Sequence, residues 1–168
     1  MLPYRYPACR WRTLNPQLDP LLTVWRHAQR PCEGRHPRWS EIDGRLWMPF
    51  RRRLILVLVR DGPRADPPYC LALFPLAAEL LGLPEGFQGT GWASRAQAER
   101  IGSLTLDVAA AQAAASGPIP PGPRAAERDG MLKAVAVPLA PEPDGPIAHD
   151  RPVLIAVAWP DPRRRDPF

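Results

Sequence analysis

The chain has 168 residues, enough for one domain with a core of useful size plus an N-terminal extension. Hydrophobic residues at 45% and charged ones at 23% are ordinary for a globular protein and exclude wholesale disorder, despite 24 prolines and 12 glycines. The net charge of +5 rests almost wholly on scattered arginines, with Lys133 the single lysine, so it carries no clear nucleic-acid footprint.

Residues 1–17 read as an irregular arm, interrupted by Pro3, Pro7 and Pro16, with Tyr4, Tyr6 and Trp11 available to pin it. Asp19-Pro20 is a good helix start, because Asp caps free amides and Pro fits the first turn. Leu18, Leu21, Leu22, Trp25 and Ala28 follow helical spacing and give one apolar face over 20–30. That face is expected to pack on a sheet or to mediate self-association. From 35 to 53 the chain is polar and proline-broken, with Trp39, Trp47 and Phe50 as expected anchors.

The apolar run 54–59 predicts a strand that ends at the turn residues 61–63, and 69–74 predicts its hairpin partner. Pro75 opens a brief helix over 76–81, and Gly82 and Pro84 end it. A glycine-rich loop, 82–91, follows, flanked by Phe87 and Trp92. Ser94 and Gln97 have the spacing of a capping box, and Ile101, Leu104, Val108, Ala111 and Ala115 continue as an apolar helical stripe. Gly117-Pro118 is expected to end that helix, with a weak extra strand near 119–126. The last predicted strands are 131–139 and 152–159, joined by a loop rich in Pro, Asp and Gly. Strands around a helical middle describe an α+β domain over 18–160, followed by a basic tail, 161–168.

Residue types that carry chemistry are present but do not form a recognisable constellation. Cys9, Cys32 and Cys70 are odd in number and irregular in spacing, and with His27 and His36 they lack metal-ligand spacing, so neither a disulfide framework nor a metal site is expected. Cys70 falls inside an apolar strand, where a thiol behaves as a small hydrophobe. Ser94 and Ser116 read as helix-end residues, and Asp61, Asp66, Asp144 and Asp150 as turn residues. The segment 86–91 lacks the Lys-Ser/Thr ending of a phosphate loop. No apolar run approaches the ~18 residues of a membrane span, and the start of the chain lacks the apolar stretch of a secretory signal. A cytoplasmic, non-membrane protein is the expectation.

The order of elements and several short motifs resemble the PAS-like single-domain family common in alphaproteobacteria, across roughly 18–160. The matching residues are Trp25-Arg26 in the opening helix, then Pro37 ahead of Ile42-Asp43, then Glu79-Leu80-Leu81-Gly82 closing the short helix. Gly117-Pro118, Val137-Pro138-Leu139 and Asp144-Gly145 continue the match. Trp39 stands where the family places an arginine, with Arg38 beside it, and Gly44 where it places a proline. The resemblance implies a five-stranded antiparallel PAS-like sheet with helices on one face, joined here by the N-terminal helix. It implies a sensory or regulatory module without catalytic residues, acting through a small-molecule pocket or a signalling protein partner. No motif for covalent flavin attachment is present and no histidine lies in 76–116 to ligate haem, so neither cofactor is expected and the ligand is left unknown. Phe74, Leu76, Trp92, Ile101 and Leu104 are the candidates to line a pocket between the sheet and the helical middle. Two alternatives stay open: a small α+β enzyme of unknown reaction, and a basic nucleic-acid-binding protein.

Overall fold

The computed structural model describes residues 4–5, 15–29, 34–60, 66–125, 130–144 and 150–160. Apolar, β-branched runs pair into one antiparallel sheet. In chain order the elements are β1 (Tyr4–Arg5), α1 (Asp19–Gln29), α2 (Trp39–Ile42), a 3-10 turn (Asp43–Arg45) and α3 (Met48–Arg51). Next come β2 (Leu54–Val59), β3 (Tyr69–Leu73), α4 (Pro75–Leu81), α5 (Arg95–Ala111), β4 (Ala115–Ile119), β5 (Leu132–Pro138) and β6 (Arg151–Ala158). The sheet order is β1-β4-β5-β6-β2-β3, with every neighbouring pair antiparallel. Strands β2 to β6 make the five-stranded sheet expected from the sequence, and two residues of the N-terminal arm add a short sixth strand at its edge. The longest apolar runs, β2 and β6, lie side by side within the sheet, Leu54 opposite Ala156 and Ile55 opposite Ile155.

Both faces of this sheet are covered. Ile55, Val57, Val153, Ile155, Val157, Ala134 and Ala136 point to one side, where Ala77, Leu81, Ile101, Leu104 and Val108 of α4 and α5 complete the core. Leu54, Leu56, Val135, Val137, Leu154 and Ala156 point to the other, against Leu18, Leu21, Leu22, Trp25 and Ala28, with Ile42 and Phe50. Successive strand residues alternate faces, so two covered faces require apolar residues at every position. The expectation of helices on one face therefore holds for α4 and α5, while α1 to α3 form a second layer opposite. The apolar face of α1 packs on the sheet of its own chain, the first of the two placements expected for it. Trp25 locks that layer by donating from Nε1 to the Pro138 carbonyl at 2.8 Å.

Three local expectations are corrected. The polar stretch 35–53 folds into α2, the 3-10 turn and α3, with Pro49 in the first turn of α3. Trp47 is no anchor: it is 62% exposed, whereas Phe50 is buried. Helix α5 ends at Ala111 because Gln112 turns left-handed at φ 48°, and Ala115 and Gly117-Pro118 then belong to β4, which pairs with β5. Pairing of the backbone outweighs the helical preference of alanine here. Among the described residues β1 pairs with β4 at Ala115 and Ser116 and does not reach Pro118, which suits a residue with no N–H to donate. Cys9, Trp11, Cys32, the turn 61–63 and the tail 161–168 lie outside the described residues.

Candidate functional site

The helical middle closes over the sheet through a backbone clip. Helix α4 stops at Gly82, whose φ of 69° is left-handed and whose N–H bonds back to Ala78 and Glu79. The chain after β4 crosses directly over that stop. Gly122 donates to the Leu80 carbonyl at 2.8 Å, and a Cβ on Gly122 would lie 2.3 Å from the Gly82 nitrogen. Gln97, in the first turn of α5, is fully buried. Its Nε2 donates to the carbonyls of Leu81 at 2.9 Å and Pro120 at 3.0 Å, while Oε1 accepts the Ala93 N–H at 3.2 Å. One amide thus joins the end of α4, the start of α5 and the exit of β4. Ser94 caps α5 as the spacing predicts, its Oγ accepting the Gln97 N–H at 3.1 Å.

The loop between α4 and α5 lies along the outer edge of β3. Cys70 and Gly89 exchange backbone hydrogen bonds of 2.8 and 3.0 Å, and Gln88 Nε2 donates to the Leu71 carbonyl at 2.9 Å. Gly89 holds φ at 130°, open to glycine and strained for other residues. The loop presents Phe87 and Trp92 as a tilted aromatic pair, ring centroids 5.9 Å apart, packed on the core and partly exposed.

Four of the five candidate lining residues share this face. Leu76 and Trp92 pack at its margin, and Ile101 and Leu104 lie fully within its core. Phe74 is not with them. Its side chain turns to the opposite layer and meets Trp39 at a centroid distance of 6.1 Å. Phe74 caps α4 in extended conformation one residue after β3, and strand alternation carries it away from its neighbour Leu73. Gln97, expected only as part of a capping box, is also the buried centre of the clip. The signal was there, because Gln97 continues the buried stripe of Ile101, Leu104 and Val108 at helical spacing, where a polar side chain needs partners.

The chemistry available on this face is apolar. Cys70, buried beneath the loop with Sγ 3.9 Å from the Phe87 carbonyl, has its thiol pushed up to about 12 by burial and is a poor nucleophile. No group of three His, Cys, Asp or Glu side chains among the described residues is placed to hold a metal ion. Glu41 and His36, whose pKa values are also shifted, lie elsewhere. Arg35 grips the Glu41 carboxylate with two bonds of 2.6 and 2.8 Å and the Arg38 N–H adds a third, which lowers Glu41 to about 2. His36 stacks on Trp25 at 5.7 Å, and burial lowers its pKa. Its Nδ1 lies 3.0 Å from Gln29 Nε2 and accepts that amide when the ring is neutral. Neither His36 nor Glu41 approaches the Phe87–Trp92 loop.

Comparison with protein-family models, with curated proteins and with solved structures found no match to this chain. No described helix is long and apolar enough to cross a membrane.

Proposed function

We propose that this protein is a non-catalytic, cytoplasmic PAS-like module with a sensory or regulatory role, acting through a small-molecule pocket or a protein partner. The observation that carries the reading is the aromatic pair Phe87–Trp92, presented partly exposed by a glycine-rich loop and packed against the largely apolar core of this face. Such a surface suits recognition of a flat or apolar ligand by stacking and burial. The nucleophile beside it, Cys70, is buried with its thiol pushed up to about 12, and this favours binding over turnover. The ligand site narrows to Leu76, Phe87 and Trp92, since Ile101 and Leu104 already fill the core.

Native mass spectrometry of freshly purified protein tests the proposal, together with the Trp92→Ala variant. A co-purifying mass that disappears in Trp92→Ala, with stability lowered by less than about 2 kcal/mol, is the expected result. A loss of ~3–5 kcal/mol is the cost of emptying a packed aromatic site. That loss, with no bound mass in the wild type, would remove the pocket from the proposal.

A further inference from the structure

On the opposite layer, Trp47 and Met48 are 62% and 68% exposed, the two most exposed large apolar side chains among the described residues. Single exposed apolar residues need no explanation, but an adjacent pair continuous with further aromatic surface does. The pair is held, not loose. Pro49 stiffens the first turn of α3, Phe50 plugs into the core, and Arg51 pairs with Asp43 across 2.5 Å. The surface runs on from there. Met48 Sδ lies 3.6 Å from Arg51 Nη1, the Arg51 guanidinium stands 6.0 Å from the centre of the Phe74 ring, and Phe74 meets the half-buried Trp39.

The charge of this patch is one-sided. Two acidic side chains beside it are neutralised, Glu41 by Arg35 and Asp43 by Arg51, while Glu142 accepts from Ser40 and keeps its charge. Arg45 and Arg52 flank the exposed pair, are themselves exposed, and form no ion pair with any described residue. Arg51 Nε is buried without a hydrogen-bond partner among the described residues. Tryptophan, phenylalanine, methionine and arginine are the residues enriched at the centre of protein interfaces, and tryptophan and arginine dominate their hot spots.

From this we infer that the Trp47–Met48 surface docks an acidic, apolar-bearing segment of a partner protein. Apolar side chains of the partner cover Trp47 and Met48, and its carboxylates meet Arg45 and Arg52. A second copy fits less well, because a twofold contact sets this basic patch against itself. A bilayer is offered one weak signal, two side chains and two arginines, where stable attachment takes more. The inference stands on this layer alone and does not require a ligand at the Phe87–Trp92 loop.

The test is a selection of short random peptides on the full chain, with counter-selection on the double variant Trp47→Ser/Met48→Ser. Enriched peptides are expected to combine Asp or Glu with Leu, Phe or Trp. They should bind the wild type about tenfold or more tighter than the double variant, and Arg45→Glu/Arg52→Glu should weaken them similarly. Binding should fall as salt is raised. The unfolding midpoint of both variants should match the wild type. A lowered midpoint in Trp47→Ser/Met48→Ser would show that the pair is packed rather than presented, and overturn the inference. No enrichment, peptides without acidic residues, or equal binding to the variants would also overturn it. So would wild-type dimers or co-sedimentation with phosphatidylserine vesicles that the Trp47→Ser/Met48→Ser variant abolishes.

Discussion

Gln97 offers the sharpest test of how the helical middle is held. Replacing it with leucine keeps the volume but leaves the Leu81 and Pro120 carbonyls, now served by Nε2 at 2.9 and 3.0 Å, without that donor. The Ala93 N–H belongs to an exposed residue and can turn to water. Each buried group left unsatisfied costs about 1–3 kcal/mol, and some of this is recovered by burying leucine, so Gln97→Leu should lose about 2–4 kcal/mol. At 2–4 °C per kcal/mol for a domain of this size, the melting midpoint should fall by roughly 5–15 °C. Urea and thermal unfolding measure both quantities. The near-isosteric Gln97→Glu sharpens the test, since an ionised carboxylate facing two carbonyls has no proton to donate. Burial raises its folded pKa above the unfolded value of about 4.3, so its stability should be best in acid and decline as pH rises through that range. A Gln97→Leu variant within about 0.5 kcal/mol of the wild type, the range of ordinary surface substitutions, would refute the clip.

Gly122→Ala would place a Cβ 2.3 Å from the Gly82 nitrogen and 2.4 Å from the Leu81 carbon, and should destabilise by about 3 kcal/mol or more. Gly102→Ala, with open space around the new methyl inside α5, should instead stabilise by up to about 1 kcal/mol, and denaturant titration of the pair separates close approach from helix propensity. His36 titrates below its unfolded value because burial disfavours the charged ring, so its contribution to stability is complete above pH ~6.5 and is lost as pH falls through the lower folded pKa. His36→Gln should flatten that limb of the stability–pH profile. Cys70, with a pKa of about 12, should resist iodoacetamide at pH ~8 in the native chain and react only on unfolding, as peptide mapping would show.

Phe74 shows how one residue can move a site. Its position at the start of α4 points to the pocket between sheet and helices, yet its ring meets Trp39 at a tilt and lies near Arg51 on the other layer. The two proposed surfaces therefore lie on opposite sides of the sheet, an aromatic loop on one and an exposed Trp-Met pair on the other.

Much of this architecture is legible in the chain before it folds. The strands 54–59 and 69–73, the cap at Ser94 and the stripe Ile101–Leu104–Val108 follow from local periodicity and turn chemistry, which act over a few residues. The run Leu54–Val59 is buried at every position because helices cover both faces of the sheet, whereas helices on one face alone are expected from the sequence. What the second face carries was not legible. Residues 35–53 hold their short helices because Ile42 and Phe50 reach the core, and Ala115–Ile119 is a strand because β5, with β1 at its start, offers it backbone partners. Gln97 reads as a cap until Leu81 and Pro120, distant in the chain, bring their carbonyls to it. Trp47 reads as an anchor until burial of Phe50 on the inner side of the same turn leaves it outside. Local periodicity decides what a segment can become, and long-range pairing and burial decide which face, edge or surface it occupies.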